Sequence, residues 1–176
     1  MNKTLYLIAL LLSLIFGCKS PVESSSNLPD YFPLQIGNKW YYNTVSQYPD
    51  SIDLIWEVVG QKEINGKQYF AIKESSTSTF FNDTIFFRMD GDILLAKATD
   101  YPEQYVADFS LRLNDSASWR NDLKVVQKSD GIMKFETPFG PDYGYSITFK
   151  NGIGITNEIQ NGIILNRKTL IKWLTK

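Results

Sequence analysis

Enzyme chemistry begins with a few side-chain types, and this 176-residue chain lacks the commonest of them. It has no histidine and a single cysteine, Cys18. Histidine is the side chain whose charge changes nearest to neutral pH. Without it there is no Ser-His-Asp or Cys-His arrangement and no imidazole-ligated zinc or iron site. One cysteine also rules out a disulfide within the chain. What remains is carboxylate chemistry, a Ser-Lys pair or oxygen-ligated metals. The 19 acidic residues allow many pairs of the kind that hydrolyse glycosides, and the sequence singles none out. The two aspartates of MDGDIL, Met89 to Leu94, lack the ligand spacing of a calcium loop and read as a hairpin turn. No Gly-rich loop follows a strand and opens a helix; Gly152 and Gly154 read as a hairpin and a bulge. The expectation is a non-enzymatic protein with no catalytic residue, no metal site and no cofactor.

The surroundings of Cys18 say more than the residue itself. Lys3 is a basic start, and Leu5 to Ile15 form an apolar run broken only by Tyr6 and Ser13. A membrane-spanning helix needs about 20 apolar residues. This run is shorter, and its flanks suit a secretory signal. After Cys18, KSPVESSSNL is Ser-rich and lacks apolar periodicity, as a flexible tether would. The division expected is a signal over 1–17, a modified N-terminus and tether over 18–28, and one domain over 29–176.

Removing 1–17 takes only Lys3 from the 18 basic residues and none of the 19 acidic ones, leaving a net charge of −2. Nucleic-acid binding needs a basic stripe or patch, so no nucleic-acid partner is expected. The domain has the usual size of one folding unit and should act as a monomer.

Its pattern is that of antiparallel β-structure. Five Asx-Gly pairs punctuate it: Asn65-Gly66, Asp90-Gly91, Asp130-Gly131, Asn151-Gly152 and Asn161-Gly162. Such pairs are the strongest short-range hairpin signal, because type I′ turns need positive φ twice. Between them, apolar and polar residues alternate with a period of two. Leu54, Trp56 and Val58 share a face, as do Ile85, Phe87 and Met89, and Tyr145, Ile147 and Phe149. Helix is expected only as a turn or two near Tyr101 to Asp108 and after Arg167. The fold class is all-β, an antiparallel meander of roughly nine or ten strands forming a barrel or a strongly curved sheet, since a meander must hide its edges.

Two resemblances bear on location. Ile15-Phe16-Gly17-Cys18 resembles the lipobox of bacterial lipoproteins, with Phe16 bulkier than the usual occupant of its position. The resemblance implies a diacylglyceryl group on the Cys18 sulfur, cleavage after Gly17 and acylation of the new N-terminus. Several acyl chains hold a protein firmly where one does not, so the expected partner is the membrane, in the bacterial cell envelope and at the outer membrane. DYFPLQIGNKWYY, Asp30 to Tyr42, resembles a signature near the start of many envelope lipoproteins of unassigned function. KNGIGITNEI, Lys150 to Ile159, resembles a later Gly-aliphatic-Gly strand of the same group. This resemblance brings no catalytic residue with it. Lipocalins are a weaker match. Gly37 is one residue too far from Trp40 for their first motif, and Thr99-Asp100-Tyr101 follows too closely for their second. That likeness extends only to an up-and-down barrel.

Three residues are candidates for ligand binding. Trp40 and Tyr42 share one face of the first strand, as core anchors or as the aromatic wall of a pocket. Arg167 lies in phase with Leu165 and Trp173 on the last strand. If the strand runs straight, Arg167 is an internal cation that could orient an anionic amphiphile. If the strand turns or bulges near Asn166, Arg167 lies in water, and a packed interaction domain is expected instead. The function expected is that of a lipid-anchored envelope domain binding an unidentified protein, glycan or small molecule. The alternatives are a carboxylate-dependent hydrolase and a lipocalin-like carrier of an apolar molecule.

Overall fold

In the computed structural model of the chain, the described residues are 30–44, 50–77, 83–138, 144–161 and 166–176. The expected signal over 1–17, Cys18 and the expected tether over 18–28 lie outside them, as do Gly162 of the Asn161-Gly162 pair and residues 139–143.

The described residues form twelve antiparallel strands in one sheet, a few more than the turn signals alone suggest. In chain order they are β1 (Lys39–Asn43), β2 (Leu54–Ile64), β3 (Lys67–Ser76), β4 (Thr84–Asp90), β5 (Ile93–Lys97) and β6 (Gln104–Asp108). There follow β7 (Ser116–Ala117), β8 (Arg120–Ser129), β9 (Ile132–Glu136), β10 (Gly144–Lys150), β11 (Gly154–Asn161) and β12 (Asn166–Leu174). The spatial order is β6-β5-β4-β3-β2-β1-β12-β11-β10-β9-β8-β7. The first and last strands therefore sit mid-sheet, and the sheet curls into a nearly closed barrel. Its edges, β6 and β7, face each other across a seam. There Tyr105 stacks on Trp119, with ring centroids 5.2 Å apart at 15°.

Turn chemistry sets the registers. Asn65-Gly66, at φ 52° and 74°, joins Ile64 to Lys67, and Asp130-Gly131, at φ 53° and 72°, joins Ser129 to Ile132. Both have the double positive φ of a type I′ turn. At the β4–β5 hairpin the frame moves by one residue. Asp90 ends the strand opposite Ile93, and Gly91 takes the first turn position at φ 59°. Asn151-Gly152 belongs to a longer turn closed by Lys150 opposite Gly154.

The two expected helical stretches are strands. Gln104–Asp108 pairs with β5, burying Ala107 opposite Leu94. β12 is held on both sides, by β1 and β11. Backbone partners already waiting on neighbouring strands outweigh the weak local helix preference of these short segments.

One end of the barrel is filled by the chain before β1. Phe32 sits inside the curl, 5.4 Å from the Trp40 ring, 5.3 Å from Phe87 and 6.5 Å from Phe149. Those three residues come from β1, β4 and β10, so one side chain bridges both arms of the sheet. Tyr31 stacks on Phe109 at 5.0 Å. Gly37, at φ 97°, then turns the chain into β1. Asn38 is buried, donating through Nδ2 to Pro33 O (2.9 Å) and accepting at Oδ1 from Lys176 N (3.1 Å).

Candidate functional site

Away from the Phe32 plug, the packed interior gives way to a cavity open to solvent on one side. A chamber of about 700 Å³ lies between Trp56, Phe87, Tyr101, Tyr105, Trp119, Tyr145 and Ile147, among other mostly apolar side chains. Tyr105 and Trp119, the pair that closes the seam, form part of its wall. A second chamber of about 290 Å³ has Thr44, Leu54, Ser76, Gln160 and Arg167 on its walls. Glu74, Glu158 and Lys168 line both chambers. These three charged side chains therefore stand where an aromatic space meets a polar one.

Each is delivered by its strand. Glu74 lies opposite Trp56 in the β2–β3 ladder, and paired residues share a face. Its Oε1 accepts a 2.6 Å hydrogen bond from the Trp56 indole N–H. Glu158 faces inward opposite Ile147, because the β10–β11 register slips between Phe149–Ile155 and Thr148–Asn157. Lys168 faces inward because the β1–β12 register slips between Tyr41–Lys172 and Tyr42–Leu170. In each slip an extra residue, Thr156 or Ile171, reverses the parity of the strand beyond it, as a bulge must. Two bulges thus turn a carboxylate and an ammonium toward each other inside the barrel.

The charges are unevenly matched. Lys168 Nζ is 2.6 Å from Glu158 Oε2 and 3.8 Å from the centre of the Trp56 ring, with the Tyr42 ring at 5.3 Å. The Tyr145 hydroxyl donates to Glu158 Oε1 at 3.2 Å. Arg120 is engaged by Asp122 at 3.0 Å and lies 5.6 Å from the Tyr145 ring. Glu74 has Trp56 as its hydrogen-bond donor and no ion-pair partner among the described residues. Burial pushes the Glu74 carboxyl above its ordinary range, and the Trp56 N–H and the Lys168 charge offset this only in part. Burial, and then the Glu158 charge, push the Tyr145 phenol well above its ordinary range.

The three residues singled out in the sequence lie elsewhere in the arrangement. Trp40 is fully packed, stacking on Phe32 and donating its indole N–H to Ile153 O. Tyr42 is also buried and donates to Ile155 O at 3.1 Å. Both rings fasten β1 to the segment 153–155 instead of forming the wall of the large chamber. Arg167 is exposed, at the rim of the smaller chamber. The straight-strand expectation for it fails because Ile171 is an extra residue, so its phase with Trp173 is broken at that point rather than near Asn166. The anionic-amphiphile reading thereby loses its internal cation. The packed interior that an exposed Arg167 was expected to imply does not follow either, since the chamber is present.

Sequence reading missed Glu74, Glu158 and Lys168. Glu74 left a signal, being in phase with Phe70 and Ile72 along a strand whose apolar face is internal. The other two left none, because the bulges at Thr156 and Ile171 lack the glycine that marks some bulges.

Fold and site together define a class: an up-and-down antiparallel barrel, plugged at one end, with a charged waist inside. The fold is similar to that of a Bacteroides fragilis NCTC 9343 protein inferred to be exported and described as having a YmcC-like fold. That match has a TM-score of 0.53 at 11% identity and covers 84% of this chain and 100% of the other. A Parabacteroides distasonis ATCC 8503 protein inferred to be a lipoprotein superposes with a TM-score of 0.38 at 10% identity, covering 84% of this chain and 99% of its own. No protein-family model and no curated protein gives a significant match.

Proposed function

We propose that this chain is a lipid-anchored protein of the bacterial cell envelope, held at the outer membrane through Cys18, whose barrel binds an apolar or amphiphilic small molecule without transforming it. The observation that carries the binding reading is the chamber of about 700 Å³ walled by aromatic and aliphatic side chains. Ligand sites are concave, mostly apolar and supplied with a few placed polar groups, and this cavity fits that description. The signal layout and the lipobox resemblance support the anchor.

The test is titration of the purified full chain with the apolar fluorophore N-phenyl-1-naphthylamine. Saturable binding at one site is expected, and it should be lost in Ala96→Trp, which fills the chamber. Non-saturable uptake, or binding indifferent to Ala96→Trp, would refute the reading. A hydrolytic reading draws on Glu74 and Glu158 facing one cavity. Against it, Glu158 is already engaged by Lys168 and Tyr145. Turnover of aryl glycosides that disappears in both Glu74→Gln and Glu158→Gln would establish it over the binding reading.

A further inference from the structure

We infer that the molecule held in the barrel is an amine-bearing amphiphile, its apolar part in the aromatic chamber and its ammonium group on Glu74 at the junction of the two chambers. This deepens the cavity reading above and rests on it.

Among the charges at the junction, Glu74 alone has no ion-pair partner among the described residues. Glu158 accepts from both Lys168 and Tyr145, one donor to each oxygen. Lys168 has its counter-charge in Glu158. Glu74 has one oxygen occupied by an indole N–H and the other without a protein donor among the described residues. With Glu74 ionised, the inward trio carries a net charge of −1. The other charged groups facing the chambers do not reverse this. Arg120 is balanced by Asp122, and Arg167 is exposed at the rim, where bulk water weakens its field. A half-buried carboxylate without an ion-pair partner, set in a mostly apolar cavity, favours a ligand that brings a donor and a positive charge. The raised Glu74 carboxyl agrees with a group still awaiting such a partner. An anionic head would instead meet two carboxylates against one lysine.

The walls fit the rest of such a molecule. Trp56 and Tyr145 already carry Lys168 and Arg120 over their rings, which leaves the head group to Glu74. Phe87, Ile85 and Leu123 lie among the side chains lining the larger chamber, suited to an alkyl or aromatic tail.

The experiment uses three probes with one tail. n-Decylamine, n-decanol and decanoate compete with the bound fluorophore on the full chain, wild type and Glu74→Gln, at low salt and pH 8. Decylamine should displace at about ten- to a hundredfold lower concentration than decanoate, as a charge-assisted hydrogen bond gained against a repulsion implies. Glu74→Gln keeps an acceptor for Trp56, and it should bring decylamine to the level of decanol while leaving decanol unchanged. Decanoate binding best, equal displacement by all three, or an amine preference that persists in Glu74→Gln would overturn the head-group assignment and leave the cavity reading standing. A fluorophore that never binds would overturn the cavity reading itself. Should Glu74→Gln fail to fold, the wild-type ranking alone decides.

Discussion

Gly154 is where the two sequence segments that resemble envelope lipoproteins touch. It sits at φ 105°, and a Cβ there would lie 3.0 Å from both Phe32 Cδ2 and Trp40 Nε1. Gly154→Ala therefore carries two penalties. A side chain held in that part of backbone space costs about 1–3 kcal/mol. Forcing a methyl into a filled core costs about 1–3 kcal/mol more. Neither aromatic can retreat easily, since Phe32 is held between Trp40, Phe87 and Phe149, and the Trp40 indole is tied to Ile153 O. The total of roughly 2–6 kcal/mol is a large share of the about 5–15 kcal/mol that holds a typical domain together. Two residues away, Gly152 also has positive φ, at 72°, but open space surrounds the place a methyl would take, with no atom within 4 Å. Gly152→Ala should show the backbone penalty alone. Urea unfolding followed by circular dichroism measures both, and the slope with denaturant should be unchanged in each. If Gly154→Ala costs no more than Gly152→Ala, then the Phe32–Trp40 contact is not what requires glycine, and the plug is not tightly packed there.

Two further predictions address the outer face and the anchor. Arg88 makes two hydrogen bonds to Glu103, at 2.6 and 2.9 Å, and Tyr69 donates to the same carboxylate. The Arg88 guanidinium, first among these partners, holds the Glu103 carboxyl down at about 2 against an ordinary 4.5. A depressed carboxyl stabilises above its unfolded value, so this contribution should be complete above about pH 4.5 and lost as pH falls toward 2. The thermal midpoint of wild type should therefore drop more steeply than that of Glu103→Gln between about pH 5 and 2; parallel curves would refute the coupling. Cys18→Ala should leave an uncut precursor that takes up no labelled fatty acid, and equal labelling of mutant and wild type would refute the anchor.

Much of the barrel was legible because its information is local. Asn65-Gly66 and Asp130-Gly131 form tight turns, and the alternation in β2, β4 and β10 puts Trp56, Phe87 and Ile147 inside. The helical expectations failed where the deciding partners are distant: β12 is a strand because β1, more than a hundred residues earlier, offers it an edge. The charged waist was hidden for a different reason. Which face Glu158 and Lys168 take depends on Thr156 and Ile171 being squeezed out of register, and that is a property of strand pairs rather than of either strand. The FPLQIGNKW segment was visible as a pattern, but its use was not. Phe32, Asn38 and Trp40 act on Lys176, Ile153 and Gly154, which no local reading connects to them.

The position of the first and last strands in the middle of the sheet has a consequence for how the protein is assembled. The chain is made N-terminus first, and β1 to β6 can pair in sequence, each with the next. The far side of β1 has to wait, because Trp40 finds its partner Trp173 about 130 residues later. Closing so long a loop adds little equilibrium cost, since that cost grows only with the logarithm of length. It does lengthen the search, as non-local pairing slows folding. Until β12 arrives, β1 is a bare edge carrying Trp40 and Tyr42, the kind of surface that recruits other chains. Loss of the last strand would leave β1 and β11 each with a bare edge and split the barrel along a second line. Premature termination near the C-terminus should therefore yield aggregation rather than a slightly shortened, working protein.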